Sequence, residues 1–331
     1  MRKHLSILTV AILALALAAC GGQGQSGGGE GSGQGQPTPQ SSPQPSETAS
    51  PQAEKRTYTD DLGVTVELPV HPQRVVVATW HYPGHLISLG ITPVGVFGYA
   101  KDSEFFGEQL KDAQLLTQES VEEVLALQPD LIITDTTNPN VDKLRSIAPT
   151  VAFDLTRRQN RLETLVDIGE ILGKKDEAEK QIRDWEAKLA VTKQRFEQEF
   201  DKNAVISVIG DYQTEFYAYG PNYGRGTEIL YTHLGLNYPE KMRREYETTG
   251  QRYVQLSEEV VPEFVGDYVF ISGETPGAPN ILDDPMYVDL PAVKEGRVYY
   301  IYEPSFYFSD PISLNGQLEF FERVLLDGAA K

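Results

Sequence analysis

A stretch of 25 residues without glycine or proline divides the chain and constrains its architecture most. It runs from Asp176 to about Phe200, and its apolar residues recur at spacings of three, four and seven. Such spacing is typical of one amphipathic helix, about 37 Å long at roughly 1.5 Å per residue. A helix packed on the surface of one domain would show the same pattern. The length and the central position favour a spine between two lobes.

Short apolar segments alternate with helical patterns on both sides of this helix. Before it, Arg74–Thr79 and Asp130–Thr134 are β-branched runs typical of strands buried on both faces. After it, Asp267–Ser272 repeats the pattern. Strands that alternate with helices indicate a parallel sheet covered by helices. The sequence therefore predicts an α/β fold, with two Rossmann-like lobes of mainly parallel sheets joined by a single long helix. We place the N-terminal lobe, the joining helix and the C-terminal lobe at residues 55–172, 173–201 and 202–331.

The composition argues against nucleic-acid partners and excludes disulfide bonds within the chain. With 331 residues the chain is long enough for two domains, and its single cysteine leaves no disulfide to hold them. The formal net charge is −19. Without residues 1–19 the chain keeps 27 Lys and Arg against 48 Asp and Glu, a net charge of −21. This balance argues against nucleic acid and against a basic membrane-binding face.

The beginning of the chain predicts export. Two basic residues, Arg2 and Lys3, precede an apolar run at residues 5–17, and two alanines and Cys20 follow. This is the pattern of a signal peptide over residues 1–19, too short to span a bilayer stably. Residues 17–20, Leu-Ala-Ala-Cys, resemble the lipobox of bacterial lipoproteins. This resemblance implies cleavage before Cys20 and lipidation of its thiol. The alternative is an ordinary signal peptide with an accidental cysteine. The lipid would anchor the protein to the cell membrane on its extracytoplasmic side.

The segment after the cysteine predicts a tether. Residues 20–54 consist almost entirely of Gly, Gln, Ser, Pro and Thr, without an aromatic residue or an apolar period. Such a composition cannot bury a core, so we expect a disordered linker between the membrane and the folded region.

The two halves of the chain repeat one short pattern. Glu122 stands eight residues before the apolar strand that begins at Asp130, and Glu259 stands eight residues before the strand that begins at Asp267. Similarity at a fixed offset indicates a repeated unit, with a glutamate at the start of a short helix. The simpler interpretation is that glutamate complements the helix dipole in a first turn.

Several segments in this order resemble a known family, the substrate-binding lipoproteins of bacterial ABC importers for ferric siderophores, haem and cobalamin. The resemblance extends over residues 57–328. It is carried by residues 61–63, 72–76, 89–96, 120–133, 219–226 and 229–230. It implies the helical-backbone class of periplasmic binding proteins and a monomer. It also implies that Glu122 and Glu259 dock on arginine pockets of the membrane-spanning subunits of the importer.

The ligand of such a protein would lie between the lobes, where loops follow the carboxyl ends of strands. Aromatic walls suit a large, partly apolar chelate, and arginine suits the oxygens that coordinate iron. The candidate contacts are Trp80, His81, Tyr82, Tyr217, Tyr219, Tyr223, Arg225 and Tyr307. Arg243 and Arg244 form a basic patch in an acidic protein and are added as candidates, although a solvated surface loop would explain them equally well.

Direct metal binding and catalysis are the weaker interpretations. His81 and His85 are spaced as in some zinc sites, but Pro83 interrupts the helix and the HExxH glutamate is absent. The folded region contains no P-loop and no cysteine nucleophile. We therefore predict a binding protein without a cofactor, a lipid-anchored receptor that delivers a ferric siderophore to an ABC importer, with iron bound only by its chelator. Haem, cobalamin or bare metal as ligand, and a sensor or adhesin, remain alternatives. The chelator chemistry stays open.

Overall fold

The computed structural model describes residues 55–117, 120–157, 161–212 and 214–328. The predicted signal peptide at 1–19, Cys20 and the predicted linker at 20–54 lie outside these ranges. Among the described residues, no helix combines the length and the apolar character that crossing a membrane requires.

The N-terminal lobe consists of a hairpin and a five-stranded sheet. The antiparallel hairpin contains β1 (Lys55–Thr59) and β2 (Thr65–Pro69). The sheet is parallel throughout, with the order β5-β4-β3-β6-β7. Its strands are β3 (Val75–Ala78), β4 (Gly95–Phe97), β5 (Gln114–Leu116), β6 (Leu131–Asp135) and β7 (Thr150–Phe153). Helices α1 (Pro83–Ser88), α2 (Val121–Ala126), α3 (Val141–Arg145) and α4 (Arg161–Leu172) connect or follow them. Every residue of β3, β4 and β7 is buried, which explains their apolar, β-branched composition.

One long helix, α5 (Lys175–Glu199), leads from this lobe to the next. Gly173, at φ +72°, separates it from α4. Ala178 of α5 is buried in the core of the N-terminal lobe, whereas Trp185 and Phe196 are buried in the core of the C-terminal lobe. The helix therefore belongs to both cores, as expected of a spine.

The C-terminal lobe is built on a second five-stranded sheet with the order β10-β9-β8-β11-β12. Its strands are β8 (Ile206–Asp211), β9 (Phe216–Tyr219), β10 (Tyr253–Leu256), β11 (Tyr268–Gly273) and β12 (Val298–Tyr302). Strands β8, β10, β11 and β12 run in one direction, and β9 runs in the opposite direction. The helices are α6 (Glu240–Thr249), α7 (Pro291–Lys294), α8 (Glu303–Phe306) and α9 (Pro311–Leu325). A π-helical turn at Glu228–His233 and a 3₁₀ helix at Glu258–Phe264 complete the lobe.

A segment near the end of the chain, residues 303–309, packs against the first lobe and connects the two lobes a second time. Phe308, after α8, lies in the core of the N-terminal lobe, 5.0 Å from the ring of Phe106 between centroids. The backbone N–H of Glu104 donates to Ser305 Oγ at 3.0 Å. Two connections, α5 and residues 303–309, therefore restrain the lobes and favour small movements over a wide hinge.

The predicted fold class is confirmed, since two mainly parallel sheets are joined by a single long helix. The helix expected from Asp176 to about Phe200 spans Lys175–Glu199. The segment considered as a possible surface loop around Arg243 and Arg244 belongs instead to α6. Its only fully buried residue is Met242, so the sequence offers little apolar signal for that helix.

Candidate ligand-binding cleft

A cleft of about 750 Å³ opens between the two lobes. Its wall contains residues from the carboxyl ends of six strands, three in each sheet. Trp80, Tyr99 and Asp135 follow or end β3, β4 and β6, and Tyr212, Glu274 and Glu303 follow β8, β11 and β12. Ligands of open α/β sheets bind at this edge, because the loops that face each other there are free to vary.

The wall from the N-terminal lobe is formed by Trp80, His81 and Tyr99. The Trp80 ring lies over Gly98, where a Cβ atom would collide with the indole and where φ is +59°. Trp80 meets Tyr99 edge to face, with 5.6 Å between ring centroids. His81 stacks on Tyr307 at 5.9 Å with an interplanar angle of 14°. Glycine at position 98 is thus required for the position of the indole.

The opposite wall is a tyrosine stack, which we define as Tyr217, Tyr219, Tyr223 and Tyr253. Successive ring centroids lie 6.4, 5.3 and 5.0 Å apart. Tyr217 and Tyr219 are two residues apart on β9 and so point to the same face of the sheet. Such a stack combines apolar ring faces with phenol hydroxyls that can form hydrogen bonds.

Arg225 lies at the floor of the cleft and is held by rings and by one carboxylate. Its guanidinium lies 5.0, 5.1 and 5.2 Å from the ring centroids of Tyr219, Tyr223 and Tyr307. It forms an ion pair with Glu303, whose side chain is 1% exposed. Burial is the largest single influence and would lower the pKa of Arg225, but Glu303 together with Tyr219 and Tyr212 outweighs it, so the pKa is raised. The arginine therefore remains a cation, and Glu303 already balances its charge.

The loop that carries Arg225 has an unusual backbone. Asn222, Gly224, Arg225 and Gly226 all have positive φ, at 58°, 78°, 55° and 80°. A Cβ atom at Gly224 would lie 3.0 Å from the Tyr307 carbonyl oxygen. The N–H of Arg225 donates to the carbonyl of Phe306 at 2.6 Å. A non-glycine residue in this conformation costs about 1–2 kcal/mol, so tertiary contacts must impose it at Arg225.

The phenols of the cleft are neutral hydrogen-bonding groups. Burial raises the pKa of Tyr212, Tyr219 and Tyr223 above the ordinary value of a phenol. The hydroxyls of Tyr212 and Tyr219 lie 2.9 Å apart. Tyr99 donates its hydroxyl to Glu274 of the other lobe, which links the two walls across the cleft.

Seven of the ten predicted ligand contacts come together here. They are Trp80, His81, Tyr217, Tyr219, Tyr223, Arg225 and Tyr307. Tyr82 instead packs in the N-terminal core against Phe153 and is 2% exposed. It reaches only an adjoining cavity of about 440 Å³.

The placement of Arg243 and Arg244 in the ligand site is corrected. Both lie on α6 beside Glu240, with Arg244 Nε 3.0 Å from its carboxylate. The guanidinium of Arg243 covers the ring of Tyr238 at 4.5 Å. Neither arginine is part of the cleft wall, because the helix directs both toward their own surface partners.

Several residues of the wall were not predicted. The sequence interpretation missed Tyr99, Asp135, Thr137, Leu155, Tyr212, Glu215, Tyr253, Glu274 and Glu303. For Tyr99 and Tyr212 the available signal was their position just after an apolar strand. Among the described residues, no group of three His, Cys, Asp or Glu side chains could hold a bare metal ion.

Glu122 and Glu259 occupy equivalent exposed places in the two lobes. Each lies in the first turn of a short helix, α2 or the 3₁₀ helix, that leads into the fourth strand of its sheet. Each helix follows an edge strand, β5 or β10, whose carboxyl end lies at the same edge of the sheet as the cleft. The two glutamates therefore lie on the side of the molecule where the cleft opens.

Comparison with known proteins places this architecture in a family. The model of the periplasmic binding protein family matches residues 75–304. The iron(3+)-hydroxamate-binding protein YxeB of Bacillus subtilis is 35% identical over 291 residues, which cover 86% of this chain and 89% of that protein. The structure of the FhuD protein from S. pseudintermedius superposes with a TM-score of 0.73 at 30% identity, over 84% of this chain and 100% of that one.

A third similar structure contains a ligand. FhuD2 from Staphylococcus aureus with bound ferrioxamine B has a TM-score of 0.71 and 27% identity, over 78% of this chain and 100% of that one. The family match covers more than half of the residues, and the curated relative extends over most of both chains. The chain belongs to the periplasmic binding protein family.

Proposed function

We propose that this protein is a lipid-anchored extracytoplasmic receptor that binds a ferric hydroxamate in the inter-lobe cleft and delivers it to an ABC importer. The function expected from the sequence, a ferric siderophore receptor of an importer, is confirmed by the relatives. The hydroxamate class, the docking contacts and the lipid anchor are the finer proposals.

The observation that carries the hydroxamate assignment is the charge of the cleft floor. A ferric trihydroxamate is uncharged at its metal centre, because three hydroxamate anions balance Fe³⁺. Ferric catecholates and ferric citrate are anions and would need unpaired cations. The arginine among the described residues of the cleft wall, Arg225, is already paired with Glu303. Aromatic rings and neutral phenols suit the uncharged chelate better.

The proposed roles follow from the geometry. The ring of Trp80 and the tyrosine stack would enclose the chelate from both sides. Arg225 and the neutral phenol of Tyr212 would donate hydrogen bonds to its hydroxamate oxygens. Iron would be held by its chelator and carried as cargo.

Fluorescence quenching of residues 55–331, titrated with ferric chelates, tests this proposal. The panel contains a ferric trihydroxamate, a ferric catecholate, ferric citrate, haem, cobalamin and free Zn²⁺. We expect saturable quenching at the lowest concentration with the hydroxamate. Tighter binding of another ligand would replace the substrate, and failure to bind any of them would reject the assignment of the cleft.

We also propose that Glu122 and Glu259 dock on the membrane-spanning subunits. Both carboxylates are exposed on rigid elements of separate lobes, which suits orientation of the loaded protein on a basic surface. The double variant Glu122→Ala/Glu259→Ala should lose iron uptake in cells and keep the Kd for the chelate. Glu123→Ala/Glu258→Ala is the neighbouring control. Weaker chelate binding in the docking variant would contradict the assignment.

The lipid anchor is proposed on Cys20, with residues 20–54 as its tether. The evidence is the sequence pattern alone. Cys20→Ser should move the protein from the membrane fraction to the medium, and mass spectrometry of the mature amino terminus checks the modification. Retention of the variant in the membrane fraction would contradict the proposal. We further propose that the protein acts as a monomer with lobes at 55–172 and 202–331, which sedimentation tests.

A further inference from the structure

The cleft contains more carboxylates than are needed to balance the charge of Arg225 at its floor. In the part of the chain that the structure describes, four carboxylates line it, from Asp135, Glu215, Glu274 and Glu303, against one arginine, Arg225. Glu303 forms an ion pair with that arginine. Among the described residues, no Lys or Arg forms an ion pair with the other three, which we call the acidic wall. Its members are Asp135, Glu215 and Glu274.

Neutral hydroxyl groups hold the acidic wall in place. The donors are Thr137 Oγ1 to Asp135 at 2.5 Å, Tyr217 to Glu215 at 3.0 Å, and Tyr99 to Glu274. Each carboxylate is thus oriented without being neutralised. Elsewhere on the same protein carboxylates pair with cations, as Glu319 does with Lys188 at 2.7 Å.

The acidic wall lies above the floor. Glu215 and Glu274 are exposed and Asp135 is half-buried, whereas Glu303 is fully buried. A chelate centred on Arg225 and the tyrosine stack could therefore place a side arm beside these more exposed carboxylates. The stack adds ring faces beside them, with Tyr217 next to Glu215, and such faces also attract cations.

We infer that the acidic wall is a subsite for a pendant ammonium group on the ferric hydroxamate. The inference rests on the proposed function and makes it narrower, because it names the charge that the ligand carries outside its iron centre. A partly enclosed cleft between aromatic walls weakens solvent screening, so three carboxylates there discriminate between ligand charges more strongly than on an open surface.

The test compares ligands that share one iron centre and differ only in the side arm. Ferrioxamine B is a linear ferric trihydroxamate with a free terminal amine; its N-acetyl derivative is neutral there and its N-succinyl derivative is an anion. We expect affinity to fall in that order, with roughly a tenfold ratio between the amine and the acetyl form from three partly exposed charge contacts. The ratio should shrink as salt is added.

Substitutions then locate the effect. Asp135→Asn/Glu215→Gln/Glu274→Gln should reduce the ratio of affinities between the amine and the N-acetyl form to about one. Glu240→Gln/Glu263→Gln/Glu295→Gln removes the same net charge from exposed positions outside the cleft wall and should keep the ratio. Circular dichroism melts of both triple variants check folding.

The outcomes separate this inference from the proposed function. Equal and tight binding of all three ligands overturns the ammonium subsite and leaves the hydroxamate receptor intact. A ratio that survives in the cleft variant, or falls equally in the surface variant, overturns the assignment to the acidic wall. Failure of every hydroxamate to bind would reject the proposed function and the inference together.

Discussion

The two sheets share one strand order but differ in the direction of one strand. In the first sheet β4 is parallel to β3 and ends at the buried Phe97, so that only the following Tyr99 reaches the cleft. In the second sheet the equivalent strand, β9, is antiparallel to β8 and pairs Phe216 with Asp211. Strand β9 therefore begins at the edge of the sheet where the cleft lies, and its residues Tyr217 and Tyr219 line the cleft.

This difference explains why the lobes contribute unequally to the site. The parallel sheet supplies isolated residues at strand ends, whereas the reversed strand supplies two of the four residues of the tyrosine stack. The return of the chain from β9 also creates the loop that holds Arg225. Reversal of one strand thus converts a repeated scaffold into an asymmetric ligand site.

The largest effect is expected at the two buried ion pairs, one in each lobe. Arg145 pairs with Asp60 at 2.5 Å in the N-terminal lobe, and Arg225 pairs with Glu303 in the C-terminal lobe. Removing one partner leaves a buried charge, so Asp60→Ala and Glu303→Ala should each lower the free energy of unfolding by about 3 kcal/mol in urea titrations. Only Glu303→Ala should also weaken chelate binding, because it releases Arg225. Equal loss of affinity in both variants would remove the proposed asymmetry.

The second effect concerns two glycines with the same backbone angle. Gly90 in the N-terminal lobe has φ +79° with open space around it, and Gly226 has φ +80° with the Phe321 ring against it. Gly90→Ala should cost about 1 kcal/mol for the positive φ alone. Gly226→Ala should cost about 2 kcal/mol more, because a methyl group overpacks the core. Thermal and urea unfolding measure both, and equal costs would show that the loop at Gly226 can yield.

The smallest effect is expected from a single hydroxyl at the edge of the C-terminal sheet. Burial raises the pKa of Tyr300 to about 12, and its hydroxyl has no hydrogen-bond partner among the described residues. Because the folded state holds this proton more tightly, its contribution to stability is present below about pH 10 and is lost as the pH rises toward 12.

Tyr300→Phe should therefore change the free energy of unfolding by less than about 0.5 kcal/mol at pH 7. It should also lose less stability than the parent protein between about pH 10 and 12. Unfolding titrations at several pH values provide the measurement. A steeper alkaline loss in the variant would contradict the sign.

Strands whose residues are mostly buried were predicted from the sequence. Two elements with few buried residues were missed. The strand predicted at Asp130–Thr134 is observed at Leu131–Asp135, and its first four residues are buried. Strand β5 was missed, since two of its three residues, Gln114 and Leu115, are exposed. Helix α6 was missed for a similar reason, because its surface is charged and its packing depends on Met242.

The site was predictable where it depends on strand ends and unpredictable where it depends on partners distant in sequence. Trp80 and Tyr223 were found from their loops. The pairing of Arg225 with Glu303 joins two loops through the tertiary fold, and no local pattern encodes it. The orientation of Arg243 also depends on a neighbour, the ring of Tyr238.

Anomalous diffraction at the iron edge, from crystals grown with ferrioxamine B, shows whether this cleft receives an intact ferric hydroxamate. We expect one iron peak between Trp80 and the tyrosine stack, above Arg225. The chelator would complete the coordination of the metal, and no protein atom would bind it. A peak outside the cleft, or iron coordinated by His81 or a tyrosine, would show that the cleft does not receive the intact chelate.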